Sequence, residues 1–312
     1  MFKIKQYQKN NLPFDKIDIF IGATGFEERS IYQANLLLDK ISYGVILGFE
    51  NEKENSIRKS NDKFFLSNDF EIIESKVEEY RNNSLVRIAF EIKQIALSKK
   101  RVNVYIDYSS MTKNWYSYII YEIFNSNIRH KINLYLGYSH AKYKKSSDKK
   151  TYNRVVSPLF GYCNLSIPSK PTSIIIGLGN ESNRVFGLKE YFDAIPYIFH
   201  SDDSYNKEFS IDAKNLLESI LTQIPSKNIF EFPINDLLFS NYILENLCKE
   251  LIKSSRVIIA PCGPKPFGVL AMLLSLKYDN MIEVWRITPG LKLPITNRIP
   301  TGLISTLELK FE

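Results

Sequence analysis

Short apolar runs alternate with amphipathic stretches along most of the chain. In the first half the pattern predicts strands near residues 17–22, 43–49, 69–73, 102–106 and 132–138, and helices near 27–39, 53–62, 84–99 and 111–125. In the second half it predicts strands near 172–177, 194–199, 228–231, 256–261 and 282–287, and helices near 184–192, 206–223, 237–254 and 265–277. Alternation of this kind is typical of a parallel sheet flanked by helices.

Each half then ends in one more strand-like segment, at 155–165 and at 301–311. In the second segment Leu303, Leu307 and Leu309 alternate with polar residues, which is the signature of a half-buried strand. We expect both segments to add antiparallel at a sheet edge. The fold class that follows is α/β, a tandem duplication of two Rossmann-like parallel-sheet units, each with an added C-terminal edge strand. Such sheets bind ligands beyond the carboxyl ends of their strands, at the topological switch point.

The two halves also match each other in sequence at four places in the same order. The matched positions and their offsets are Gly22 and Gly177 (155), Lys113 and Lys265 (152), Ile132 and Ile282 (150), and Asn153 and Asn297 (144). Differences in loop length account for the gradual drift of the offset, so the matches indicate a tandem duplication. We therefore expect a first domain at residues 1–167, including a basic loop at 139–152, and a second domain at 168–312. The halves should pack about a pseudo-twofold axis around a shared cleft.

Composition narrows the class of protein. The 312 residues are 44% hydrophobic and include three Cys, which excludes a disordered chain, a collagen-like chain and a disulfide scaffold. No apolar run reaches the roughly 18 residues that a membrane helix needs. The first 16 residues lack the apolar segment of a signal peptide. We expect a cytoplasmic protein with no membrane partner.

Positive charge is concentrated in two regions of the sequence. Residues 101–150 hold nine basic and three acidic residues, and residues 251–300 hold seven and two, whereas the net charge of the whole chain is +7. Two such regions favour an anionic partner, such as a phosphate group or a nucleic-acid backbone. An ordinary Lys-rich surface is the alternative, and it applies most to the loop at 139–152.

Glycine-containing turns follow the first predicted strand of each half. The turns Gly22 to Gly25 and Gly177 to Gly179 both lead toward a helix whose free N–H groups can hold an anion. The dinucleotide-binding fingerprint is incomplete, because Ser182 stands where the third glycine belongs. Tight strand-to-helix turns explain the glycines equally well. The ligand-binding candidates in these two turns are Thr24, Arg29, Asn180 and Arg184.

The turns after the fourth predicted strands carry the clearest chemistry. Ser109, Ser110 and Lys113 supply hydroxyl groups and a cation at the start of a helix, a combination that suits a phosphate group. The corresponding residues in the second half are Cys262, Gly263 and Lys265. The spacing of a Walker A loop is absent, so ATP hydrolysis of that type is not indicated.

This combination of a strand, a small-polar turn ending in Lys and an apolar helix resembles the Thr-Gly-Gly-Thr-Lys-type turn of the CRISPR-associated Rossmann fold (CARF) family. Domains of that family sense cyclic oligonucleotides through the turns after strands one and four. The resemblance therefore implies a nucleotide-binding protein of prokaryotic defence. The positions that would carry over are Thr24, Ser109, Ser110 and Lys113 in the first half and Cys262, Gly263 and Lys265 in the second. Both turns lack the Gly-Gly pair, and Asp107 places an acid at the mouth of the first.

Acidic residues at the same strand ends suggest a different chemistry. Glu27, Glu28 and Asp107 follow strands one and four of the first half, where they would be close enough to share a divalent ion such as Mg²⁺. Ile259 replaces the aspartate in the second half, so this catalytic site would exist in one half only. Acids at a solvated helix start explain the two glutamates without a metal.

The leading hypothesis is a sensor or regulatory component that binds a nucleotide or short oligonucleotide in the cleft between the halves. The alternatives are a metal-dependent enzyme that acts on a nucleotide or nucleic acid through the first-half carboxylates, and a structural subunit of a larger complex. A nucleophilic pair of Cys262 and His200 would require the strands that carry them to be neighbours. A protein partner or a homo-oligomer is compatible with each hypothesis. No motif names a reaction, so the sequence leaves enzyme activity open.

Overall fold

The computed structural model describes residues 2–8, 11–50, 53–76, 82–142, 155–164, 169–179, 183–202, 217–288 and 296–312. The chain divides into two α/β units, each built on a mostly parallel sheet. The first unit consists of Met1–Lys142 together with Pro294–Glu312, and the second consists of Tyr143–Leu293. Within the described residues, no helix is long and apolar enough to cross a membrane.

The first unit contains a seven-stranded sheet. Numbered in chain order, its strands are β1 (Phe2–Gln8), β2 (Ile19–Thr24), β3 (Gly44–Phe49), β4 (Glu71–Ser75), β5 (Val102–Asp107), β6 (Ile132–Ala141) and, from the end of the chain, β13 (Pro300–Phe311). Its helices are α1 (Tyr32–Leu36), α2 (Ser56–Ser67), α3 (Asn83–Ser98) and α4 (Lys113–Asn125). The strand order is β1-β13-β6-β5-β2-β3-β4. Strands β2 to β6 run parallel, and β13 lies antiparallel to both β6 and β1.

The second unit contains a six-stranded sheet. Its strands are β7 (Val155–Pro158), β8 (Thr172–Gly177), β9 (Ala194–Asp202), β10 (Ile229–Pro233), β11 (Arg256–Pro261) and β12 (Ile282–Thr288). Its helices include α5 (Asn183–Phe192), α6 (Leu237–Ser254) and α7 (Lys265–Lys277), and a short helical segment occupies residues 217–221. The strand order is β10-β9-β8-β11-β12-β7, with β7 antiparallel to β12.

The two sheets share one topology. Starting from β4 and from β10, the five parallel strands of each sheet follow the Rossmann order 3-2-1-4-5, and an antiparallel strand then lies beside the fifth, β13 in the first sheet and β7 in the second. Lys113 and Lys265 are each the first residue of the helix that follows the fourth strand of this order. The predicted α/β fold class is therefore confirmed. The expected match of Asn153 with Asn297 lies outside the described residues at Asn153.

The antiparallel strands belong to the opposite units from those that the sequence predicts. β7 was expected to complete the first sheet, but it pairs with β12, whereas β13 pairs with β6 over Asn133 to Ser139. The first unit therefore combines residues before 143 with the end of the chain, a division that differs from the predicted boundary at 167. A period-two pattern shows that a segment is a half-buried strand, but it carries no information about which sheet accepts it.

β13 is also not an edge strand, because β1 pairs with its other side. The sequence analysis missed β1, whose Lys3, Lys5 and Gln6 give the start of the chain a polar character. Charged residues are common on an edge strand, where they discourage pairing with other chains. Of the two added strands, β7 does lie at a sheet edge, but in the second sheet, where it precedes the other strands in the chain, rather than in the first sheet as predicted.

Local sequence explains most of the remaining elements. β2 reads as a continuous apolar run and is buried along its whole length, as expected for a parallel strand covered on both faces. Three helices are capped at their N-termini by a side chain that accepts a hydrogen bond from a backbone N–H of the first turn. The capping residues are Asn55 for α2, Asn82 for α3 and Asp236 for α6. α7 is apolar all round, and every residue from Pro266 to Leu276 is buried.

Candidate functional site

The candidate site lies at the carboxyl ends of β2 and β5, which are adjacent strands at the switch point of the first sheet. The turns that follow these two strands touch through their serines. Ser30 Oγ donates a hydrogen bond to Ser110 Oγ at 3.0 Å, and Ser110 Oγ donates to Glu27 Oε2 at 3.3 Å. The fold therefore brings together residues that are about 80 positions apart in the sequence.

Arg29 is the central cation of this site. It lies in a short 3₁₀ turn, Glu28–Ser30, and only 5% of its surface is exposed. Its Nε donates to Glu27 Oε2 at 2.6 Å, and its Nη1 donates to Tyr138 Oη at 3.2 Å and to the Ser139 carbonyl at 3.3 Å. Burial alone would lower the pKa of Arg29, but Tyr138 and Glu27 outweigh that effect and raise it. The guanidinium is thus a fixed, permanently charged group.

Asp107 is held in a buried polar network. Its Oδ1 accepts hydrogen bonds from Gln33 Nε2 at 2.7 Å and from the Ser109 backbone N–H at 3.0 Å. Gln33 Nε2 also donates to Ser109 Oγ at 2.9 Å, and its Oε1 accepts from Tyr105 Oη at 2.6 Å. The sequence analysis missed Gln33, although an amide on the apolar side of a short helix is a signal that could have found it.

The three predicted metal-binding carboxylates occupy separate environments. Glu27 is bonded to Arg29, whereas Asp107 is bonded to Gln33. Glu28 is exposed, and its Oε1 accepts a hydrogen bond from Asn297 Nδ2 at 2.6 Å. In the part of the chain that the structure describes, no group of three His, Cys, Asp or Glu side chains could hold a metal ion. The predicted Mg²⁺ site therefore does not fit the arrangement of these residues.

Thr24 faces α2 rather than the Ser110 turn. Its Oγ1 donates a hydrogen bond to Asp62 Oδ1 at 2.5 Å, and Asp62 Oδ1 also accepts one from Arg58 Nε at 2.7 Å. Asn61 Nδ2 donates to the carbonyls of Gly25 at 2.8 Å and Glu27 at 3.0 Å. Thr24 therefore helps to anchor α2, and Asn61 fixes the turn that carries Glu27 and Arg29.

Several buried hydroxyl groups lie on residues around the start of α4 and on β6. Lys113 is partly exposed at the first helical position, and the preceding Thr112 makes no side-chain capping bond. Tyr108 stacks on Tyr138 with ring centroids 5.4 Å apart and lies 5.5 Å from Tyr116. Within the described structure, the buried hydroxyls that lack a hydrogen-bond partner include those of Tyr108, Thr112, Tyr116 and Ser139. Burial raises the pKa of Tyr108 and of Tyr116, and Tyr138 adds to the shift, so both phenols are neutral.

His140, at the end of β6, is a neutral neighbour of this cluster. Its Nε2 lies 2.9 Å from Ser305 Oγ on β13, and the residue is 8% exposed. Burial, with a smaller contribution from the Arg29 charge, lowers the pKa of His140 to about 4. The imidazole therefore adds no positive charge to the site near neutral pH.

The corresponding turns of the second unit are packed backbone against backbone. A Cβ atom at Gly179 would lie 2.5 Å from the Cys262 carbonyl oxygen, and one at Gly263 would lie 2.2 Å from that of Leu178. These glycines are required by close packing, which supports the tight-turn interpretation over a phosphate-binding one. Arg184, in the first turn of α5, and Lys265 are partly exposed, whereas Asn180 lies outside the described residues.

The hypothesis of a Cys–His nucleophile pair depends on neighbouring strands. His200 lies on β9, and Cys262 directly follows β11. β8 separates these strands in the sheet, so the condition for the pair is not met.

No protein-family profile matches this chain, and no curated protein matches its sequence. The chemistry of the site therefore has to be inferred from its own residues.

Proposed function

We propose that the first unit binds a phosphate-bearing ligand, a nucleotide or short oligonucleotide, at the carboxyl ends of β2 and β5, and that it acts as a sensor or regulatory component. The observation that carries this proposal is the meeting of the two turns at the switch point. The Ser30–Ser110 contact joins the turn that holds Arg29 to the turn that leads to Lys113. Ligands of Rossmann-like sheets bind at this position.

The donors at this position suit a phosphate group better than a neutral ligand. Arg29 offers a guanidinium held by Tyr138 and the Ser139 carbonyl, and Lys113 adds a second cation at the first residue of a 13-residue helix. The Tyr138 hydroxyl lies 3.2 Å from Arg29 Nη1, and the helix start favours negative charge. The region that contains Lys113 also has nine basic residues against three acidic ones.

Recognition is a better explanation of the carboxylates than catalysis. Glu27 is neutralised by Arg29 at 2.6 Å, and Asp107 accepts two hydrogen bonds in a buried network. A carboxylate that serves as a general base or a metal ligand needs access to the reacting group. The resemblance of the strand-four turn to the CARF family makes cyclic oligonucleotides the first ligands to test.

Isothermal titration with mononucleotides and cyclic oligonucleotides tests the proposal, and Lys113→Ala is the informative variant. Loss of a hydrogen bond to a charged group costs about 1.5–3 kcal/mol, so affinity should fall roughly 10- to 150-fold. Lys100→Ala is the matched control, because Lys100 is exposed just before β5, at the opposite end of the same strand. We expect that control to bind within twofold of the wild type.

Two results would contradict the proposal. Equal affinity in the wild type and Lys113→Ala would place the ligand elsewhere. Absence of binding across the panel, together with no nucleotide detected by mass spectrometry of the purified protein, would remove the proposed ligand class.

A further inference from the structure

The carboxylate of Glu27 is surrounded by donors of the kind that bind a phosphate oxygen. Its Oε2 accepts from Arg29 Nε at 2.6 Å and from Ser110 Oγ at 3.3 Å. Ser110 in turn accepts from Ser30 at 3.0 Å. A guanidinium and a serine hydroxyl directed at one anionic oxygen form a charge-assisted anion site. In the structure, a side chain of the protein itself occupies that site.

We propose that Glu27 is an internal anion that fills an oxyanion subsite, and that a phosphate oxygen of the ligand displaces it to bind Arg29 and Ser110. The inference rests on the proposed function, because it assigns one group of the same ligand to one part of the same site. It gives Glu27 a role opposite to the catalytic one that the sequence suggested. The glutamate then tunes affinity by competing with the ligand.

Glu27 is the more easily displaced member of the ion pair. The Glu27 side chain is 16% exposed, compared with 6% for Arg29. Glu27 lies in extended backbone before the 3₁₀ turn and makes no side-chain capping bond, so its carboxylate can swing outward without breaking a helix. Arg29 is restrained by Tyr138 and by the Ser139 carbonyl. Displacement therefore leaves the guanidinium in place for an incoming anion.

Two residues packed around Arg29 and its partner Tyr138 carry further hydroxyl donors. Ser139, whose carbonyl accepts from Arg29, has a buried hydroxyl without a partner in the described structure. Tyr108, which stacks on Tyr138, has another. Buried polar groups are normally satisfied, so unpartnered hydroxyls on a residue that contacts Arg29 and on a residue that stacks on its partner Tyr138 favour a ligand that is polar on several sides. A phosphate group meets that requirement, whereas the carboxylate of Glu27 uses only part of the available donors.

Inorganic phosphate is the probe that tests this inference, because it needs no nucleotide site. Glu27→Ala should melt at a lower temperature than the wild type without phosphate, because it leaves the buried Arg29 charge without its carboxylate partner. Millimolar phosphate should restore much of that loss, since a ligand that binds only the folded state stabilises it. By isothermal titration, phosphate should bind Glu27→Ala at least tenfold more tightly than the wild type. Sodium chloride at equal ionic strength should have no such effect.

The control is Glu28→Ala, which removes the adjacent carboxylate, exposed and bonded to Asn297. It should respond to phosphate as the wild type does. If Glu27→Ala fails to fold, Glu27→Gln preserves the shape of the side chain and should still bind phosphate more tightly than the wild type.

Unchanged phosphate affinity in both Glu27 variants would overturn the inference and leave Glu27 as a structural partner of Arg29. That outcome is separable from failure of the proposed function. Nucleotide binding that depends on Lys113 would survive it, whereas a protein that binds no nucleotide could still show phosphate rescue of Glu27→Ala.

Discussion

Replacing Asp107 tests whether the buried network at the end of β5 is structural. Both hydrogen bonds described for its carboxylate, from Gln33 Nε2 and from the Ser109 N–H, end on the same oxygen, Oδ1. Asp107→Asn can keep an acceptor at that position, but it removes the charge and replaces Oδ2 with an NH2 group. Asp107→Ala removes the acceptor and leaves two donors in a region where all three residues are at most 3% exposed.

The expected magnitudes follow from these contacts. A hydrogen bond to a charged group contributes about 1.5–3 kcal/mol, and a buried donor without a partner costs about 1–3 kcal/mol. Gln33 Nε2 retains Ser109 Oγ as an acceptor at 2.9 Å, so the alanine variant does not lose the full value of both bonds. We expect Asp107→Ala to lower the free energy of unfolding by about 3 kcal/mol. The loss for Asp107→Asn should be about 1 kcal/mol.

Urea titration followed by tryptophan fluorescence measures this difference. The chain has two tryptophans, and Trp115 is fully buried in α4, the helix that follows β5. A Trp285→Phe background therefore reports on the first unit alone. At roughly 2–4 °C per kcal/mol, the melting temperature should fall by about 6–12 °C for alanine and 2–4 °C for asparagine.

Equal stability of the alanine and asparagine variants would refute this reasoning, because it would mean that the acceptor at Oδ1 contributes nothing. We also expect added Mg²⁺ to leave the melting temperatures of all three proteins unchanged. A Mg²⁺-dependent stabilisation of the wild type that is lost in Asp107→Asn would restore the metal hypothesis.

Two further predictions concern pH and strand order. The pKa of His140 is about 4 in the folded protein, compared with an ordinary value of 6.5, so the unfolded chain takes up the proton first as the pH falls. The free energy of unfolding should therefore decrease by up to about 3 kcal/mol as the pH drops from about 6.5 to 4. Urea titrations at several pH values should show a weaker pH dependence of the free energy of unfolding in His140→Gln, and an unchanged one in the control His130→Gln, since His130 is exposed. An unaltered pH dependence in His140→Gln would contradict the lowered pKa of His140. Deleting β13 removes the strand between β1 and β6, so circular dichroism should show loss of the first unit, whereas deleting the edge strand β1 should preserve it. Equal folding of the two truncated chains would count against the observed strand order.

The sequence allowed part of the candidate site to be predicted. It predicts Arg29, Ser110 and Lys113 as site residues, because turns after parallel strands gather at one edge of a sheet, and the structure brings the turns of Ser110 and Arg29 into contact through Ser30. The pairing of Arg29 with Glu27 and the burial of Asp107 under Gln33 were not predicted. Side-chain partners depend on rotamers and on the distance between turns, and neither leaves a periodic trace in the sequence.

The sequence by itself determined the type and order of nearly all helices and strands, because apolar periodicity reflects local geometry. It also indicated the duplication, since matched turns keep their spacing from matched strands. Only the tertiary structure decided that β13 completes the first sheet and β7 the second. A strand's alternating pattern specifies which face is buried, but its partner is set by long-range register and by the edge left open, as β6 is for β13. The same long-range packing decided that the three predicted carboxylates occupy separate environments rather than one metal site.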